Sequence, residues 1–131
     1  MYQGKERLMK IAVSATAPNL SAQVDPRFGR CRFFVIVDPD SMEFEGIENS
    51  SAAAGGGAGI AAAQLISGKG VEAVLTGNCG PNAFSVLQAA NIPVLTGVSG
   101  TVQEAVEGYQ AGKYNAISQA NVSPHSGMGR N

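Results

Sequence analysis

Apolar residues fall into short runs separated by Gly, Pro and Asp clusters, and the runs alternate between strand-like and helix-like spacing. Residues 10–14 (KIAVS), 33–37 (FFVIV) and 71–76 (VEAVLT) are almost continuously apolar, the pattern of strands covered on both faces. Residues 42–48 alternate instead, Met42 and Phe44 against Glu43 and Glu45. That predicts a half-exposed edge strand, with Gly46 a bulge where the phase slips. Asp38-Pro39-Asp40-Ser41 is a tight-turn sequence, so the second and third strands pair antiparallel. An Ala-rich helix over 60–67 lies close on the sheet and ends at Gly68 and Gly70. Pro81 opens a second helix, to about residue 90, at the position where its missing N–H costs nothing. The fifth strand, 92–96, contains Pro93 and therefore belongs at a sheet edge. Thr101 and Glu104 have capping-box spacing for a third helix, closed near Gly112.

The element order β-β-β-α-β-α-β-α, with right-handed crossovers, predicts an α/β fold of three layers. Its five-stranded mixed sheet has the order 3-2-1-4-5, with strand 2 antiparallel. This order sets the Glu-alternating and Pro-containing strands on the two edges and buries the apolar ones between them. It also gathers four loops, 14–31, 50–59, 77–81 and 97–101, along one sheet edge. Three of them end at helix N-termini, at the carboxyl ends of strands where open α/β sheets bind ligands.

The 131 residues suit one domain with a modest core. We assign 9–118 to that domain, 1–8 to an extension outside the fold because Met9 resembles a start, and the polar, Gly-rich 119–131 to a flexible tail. A net charge of −1 implies no general attraction to nucleic acid or membranes. No apolar run is long enough for a membrane span and no leader pattern opens the chain, which points to a cytoplasmic protein. In that compartment Cys31 and Cys79 are expected as thiols.

Charge placement changes the picture more than charge total. Arg27, Arg30 and Arg32 fall within six residues of the long first loop. Arg27-Phe28-Gly29-Arg30 next to helix N-termini is a sensible anion clamp. Gly77-Asn78-Cys79-Gly80 puts a thiol before a helix N-terminus, where thiolate is favoured, so Cys79 is a candidate metal ligand. Gly56 and Gly57, and Ser99, Gly100 and Thr101, supply backbone N–H groups from the other two loops. His125 in the tail is a weaker candidate ligand. The glycine run 55–59 is neither a P-loop nor a dinucleotide fingerprint, so no nucleotide cofactor is expected. No nucleophile–base pair is evident and the first strand has no carboxylate, so no catalytic residue is assigned and the protein is not expected to be an enzyme. Two cysteines also fall short of a conventional four-cysteine iron–sulfur site.

Met9-Lys10-Ile11-Ala12-Val13-Ser14, Phe28-Gly29-Arg30, the 55–59 glycine run with Ile60, the 77–84 segment, and 97–101 with Val102 and Glu104 together resemble the dinitrogenase iron–molybdenum cofactor biosynthesis family. Gly127-Met128-Gly129-Arg130 resembles the tails of its small members. The resemblance implies a ribonuclease H-like fold and a non-enzymatic carrier or storage role. The implied cargo is an anionic heterometal–sulfur cluster, iron–molybdenum sulfide or, as in orange proteins, molybdenum–copper sulfide. Cluster-assembly or acceptor proteins are the implied partners. Many members carry histidine where this chain has Arg27, which shifts this site toward anion binding. The alternative is a regulatory or scaffold domain binding a small anion or a partner segment in the same groove.

Overall fold

A computed structural model describes residues 9–50 and 57–118. The strands are β1 (Lys10–Ala15), β2 (Phe33–Val37), β3 (Phe44–Glu48), β4 (Val71–Leu75) and β5 (Val94–Leu95). The helices are α1 (Ala58–Ser67), α2 (Pro81–Ala89) and α3 (Val102–Gln110). They form one sheet of order β3-β2-β1-β4-β5, in which β2 is antiparallel to both neighbours and β1, β4 and β5 are parallel. Order and strand directions follow the expectation.

The continuous apolar runs form the centre because each contributes to two cores. On one face Ala12, Phe34, Ile36 and Val74 pack with Ala62 and Ile66 of α1 and Ala83 and Leu87 of α2. On the other, Ile11, Val13, Val35 and Leu75 pack with Val102, Ala105 and Val106 of α3. Small residues at the buried positions of α1 (Ala58, Ala62, Ala63) bring that helix close to the sheet. Gly68 is its C-cap, and α3 begins with the expected capping box of Thr101 and Glu104.

Three local expectations need correction. The third strand begins at Phe44, because Met42 adopts a left-handed φ of 65° and its N–H closes the turn onto Asp38 O at 2.7 Å. Gly46 is not a bulge; it sits in regular register opposite Val35. It is glycine because Pro18 lies on it, so a Cβ there would meet the Pro18 Cβ at 2.3 Å. The register shift falls between Lys10 and Ile11 of β1. The fifth strand shrinks to Val94–Leu95, flanked by Pro93, and residues 116–117 cover its outer side through a Leu95–Ala116 bridge and the Ile117 N–H bond to Val94 O.

Candidate functional site

The four loops meet at the carboxyl end of β1 and β4, tied to one another mainly through backbone. The Ser14 N-terminal side of the long loop is fixed first. Ser14 Oγ donates to Asp25 O (2.6 Å) and shares a 2.8 Å hydrogen bond with Thr76 Oγ1 at the end of β4. Asp25 N–H returns to Ser14 O, and Thr16 N–H to Gln23 O. Residues Pro26 to Phe28 then run along the β4–α2 turn: Asn78 N–H donates to Pro26 O and Phe28 N–H to Asn78 O. Val24 N–H reaches Gly100 O, and Gly97 N–H reaches Gly77 O, which brings in the β5–α3 loop.

Gly77 shows why this junction demands glycine. A Cβ there would stand 2.6 Å from Pro26 Cα, a backbone atom that has no room to move. Gly77→Ala is therefore expected to cost about 1–3 kcal/mol of stability, the usual penalty of overpacking, read as a lowered denaturation midpoint. A second close approach joins the remaining loop. A Cβ on Gly29 would meet Gly59 Cα at 2.9 Å, so the Arg-Phe-Gly-Arg turn rests on the start of α1. Buried Asn49 braces the same turn from behind, its Nδ2 donating to Gly29 O (3.2 Å) and Cys31 O (2.8 Å). Neither Asn49 nor the role it plays was anticipated from sequence.

Phe28, expected within the anion clamp, does not present its ring at the surface. It is buried, with its ring 5.1 Å from that of Phe34, and anchors the turn in the core. Arg27 and Arg30 on either side are exposed. Arg27 is held by a carboxylate that the sequence reading overlooked. Buried Asp25 accepts from Arg27 N–H (2.9 Å), Nε (3.2 Å) and Nη2 (3.3 Å). This pairing raises the Arg27 pKa and fixes the guanidinium, whose side chain stays 63% exposed at the loop edge. The signal for it was the Asp-Pro-Arg spacing, in which an Asx side chain accepts from the backbone two residues on.

Cys79 requires the largest correction. Its position before α2 suggested a thiolate at a positive helix end, but the side chain turns inward and is fully buried in the core of Phe28 and Phe84. Sγ donates to Gly80 O at 3.7 Å, and desolvation pushes the thiol pKa up to about 11. Burial defeats the dipole. Cys31 is also buried, and its pKa is pushed up to about 12, first by desolvation and then by Asp25. Both cysteines are free thiols. Because the folded state holds them neutral, their contribution to stability is complete below the ordinary thiol value of 9.0 and is lost as pH rises toward about 11–12. A thiol reagent near neutral pH is accordingly expected to label neither cysteine until the chain is unfolded.

The remaining candidates divide. Ser99, Gly100 and Thr101 close the loop edge structurally. Gly100 O accepts from Val24, and Thr101 Oγ1 caps α3 while Glu104 Oε1 accepts from Thr101 N–H. That places a carboxylate at the α3 N-terminus, which disfavours an anion there. The N-termini of α1 and α2 differ: their N-caps, Gly57 and Gly80, make no side-chain cap. Helix N-termini whose N-cap residue has no side chain are the kind of place where first-turn N–H groups can meet an anion. Gly56 and His125 lie outside the described residues. So do the glutamine-to-asparagine tail, 119–131, and the extension, 1–8.

Among the described residues, no group of three His, Cys, Asp or Glu side chains is disposed to hold a metal ion. The donors gathered at the loop edge are guanidinium and backbone N–H groups. Such donors can meet an anion through charge and hydrogen bonds. Two cavities among the described residues lie away from this edge. One, of about 230 Å³, is lined by Phe84, Ile92, Pro93 and Ile117 beside β5; the other, of about 200 Å³, sits at the opposite end of the sheet. No helix of the described residues is long and apolar enough to cross a membrane.

This architecture has counterparts. Residues 9–112 match the family model described as dinitrogenase iron–molybdenum cofactor, and the chain belongs to that family. It is similar to the orange protein of Desulfovibrio gigas, whose apo form shares 41% identity and a TM-score of 0.84, covering 88% of this chain and 98% of that one. A candidate NifB protein from Thermotoga shares 34% identity and a TM-score of 0.73, over 85% of this chain and 95% of its own. The uncharacterized protein MJ0580 of Methanocaldococcus jannaschii is 35% identical over 112 residues, 83% of this chain and 92% of that protein.

Proposed function

We propose that this protein is a non-enzymatic carrier or storage protein for an anionic heterometal–sulfur cluster, of the iron–molybdenum or molybdenum–copper sulfide type, or for a precursor of one. Family membership and the likeness to an orange protein support a cluster-related role. The observation that carries the binding mode is that the turn bearing Arg27 and Arg30 lies against the loops that lead into α1 and α2, whose N-caps are the glycines Gly57 and Gly80. Sulfide-bridged oxometalate-like anions present several charged faces, and guanidinium plus fixed N–H groups suit such faces without displacing a ligand. Asp25 holds Arg27 in place before the cargo arrives, which lowers the ordering cost of binding. Assembly enzymes and acceptor apoproteins are the partners that such a role requires.

Titration of the purified chain with tetrathiomolybdate, alone and with copper(I), tests the reading. The account expects saturable uptake that survives gel filtration and shifts the sulfide-to-metal absorption. Uptake of an organic phosphate with none of thiomolybdate would replace the carrier reading with that of a small-anion regulatory domain.

A further inference from the structure

The chain presents a second feature at the end of the sheet away from the loop edge. Strand β3 is an edge strand, exposed along most of its length. The bonds Asp38 N–H to Glu43 O and Asn49 N–H to Arg32 O fix the phase of its ladder with β2. Antiparallel alternation therefore turns the N–H and C=O groups of Phe44, Gly46 and Glu48 away from β2, toward the open side. Beside this edge lies the cavity of about 200 Å³ lined by Lys10, Ile36, Asp38, Glu43, Phe44 and Glu45. Phe44 is 45% exposed, on the strand face opposite Glu43 and Glu45. Among the described residues Glu43, Glu45 and Glu48 make no ion pair.

Charges on an edge strand ordinarily guard it against aggregation. A guarded edge has no use for a large exposed aromatic or for a cavity next to its free backbone groups. Both are features of edges that accept an added strand, where main-chain bonds give affinity and a side-chain pocket gives selectivity. We propose that the open edge of β3 docks an extended, basic segment of a partner protein as a sixth strand. A lysine or arginine of that segment would reach the cavity on the strand face that carries Glu43 and Glu45, where these carboxylates and Asp38 outnumber the single ammonium of Lys10. A second copy of this chain is the poorer occupant, because pairing β3 with itself doubles an already unbalanced row of carboxylates. The cavity lies at the Phe44 end of the strand, away from the Glu48 end that leads into Asn49 and the arginine turn. The proposal does not depend on the nature of the cargo.

The test is fluorescence anisotropy on the full chain without cargo, using a short labelled peptide of alternating lysine and valine. Its matched controls are a glutamate–valine peptide and the lysine peptide N-methylated on alternate backbone amides. The lysine peptide is expected to bind and the glutamate peptide not to bind. N-methylation is expected to weaken binding by about ten-fold or more, the loss of one or two backbone hydrogen bonds. Glu45→Lys, at an exposed position, is expected to weaken it similarly while leaving thermal unfolding unchanged. Equal binding of the N-methylated peptide overturns strand addition, and no binding of the lysine peptide overturns the docking site. A dimer in sedimentation that dissociates on Glu45→Lys substitution assigns the edge to self-association instead, and overturns the proposal as well.

Discussion

Phe28→Ala is expected to destabilise the domain by about 3–5 kcal/mol, the range for truncating a buried aromatic. A domain of this size has about 5–15 kcal/mol in all, so the variant stands near the limit of folding. The reason is position as much as size. The Phe28 ring packs on Phe34, its N–H bonds to Asn78 O, and the residues beside it carry the two exposed arginines. Losing the ring therefore loosens the turn that presents Arg27 and Arg30. Phe28→Leu keeps most of the volume and is expected to cost less than about 1.5 kcal/mol. Chemical denaturation measures both. Full cargo uptake by Phe28→Leu would agree with an anchoring role, whereas loss of uptake in a stable Phe28→Leu protein would make Phe28 a contact residue.

Arg27→Ala combined with Arg30→Ala is expected to abolish retention of an anionic cluster through gel filtration. A charge-assisted hydrogen bond contributes about 1.5–3 kcal/mol, so each arginine governs roughly a ten- to hundred-fold change in affinity. The two are not equivalent. Removing Arg27 alone also uncovers the buried Asp25 carboxylate, which then faces the incoming anion as a bare like charge. Arg27→Ala is thus expected to weaken uptake more than Arg30→Ala does. Adding Asp25→Asn to Arg27→Ala is expected to recover part of the loss by removing that repulsion. Thiomolybdate titrations of the four proteins measure this order. Equal losses, or no recovery, would mean that Asp25 is only a structural partner.

Sheet order was legible in the sequence because chemistry at the two edges differs from chemistry at the centre. Glu43 and Glu45 alternating with Phe44, and Pro93 beside a short strand, excluded these segments from interior positions, while KIAVS and FFVIV had no polar face to expose. The convergence of the four loops followed from that order. Side-chain direction within the loops did not. Cys79 was read from its place before a helix, which does not say to which side of the turn its Cβ points. The packed structure turns the thiol into the core. The same holds for Phe28, whose neighbours in sequence are charged but whose neighbours in space are Phe34 and Cys79. Asn49 escaped notice because it acts on backbone groups brought to it by tertiary contacts rather than by any motif, whereas the Asp25 signal was local, in the Asp-Pro-Arg turn. Gly46 misled in the opposite sense. A glycine within a strand signals either a bulge or a close approach, and the Pro18 ring that decides between them is 28 positions away in sequence, counted from residue 18 to residue 46.

The central claim is that the loop edge carries a metal–sulfur cluster. Its most direct test is multi-element analysis, with a visible spectrum, of the protein purified anaerobically from its native host. The account predicts molybdenum with iron or copper at near-stoichiometric levels and sulfide-to-metal absorption, both lost from the Arg27→Ala, Arg30→Ala protein. A wild-type protein that is colourless and metal-free, and that stays so after incubation with thiomolybdate and copper(I), would contradict it.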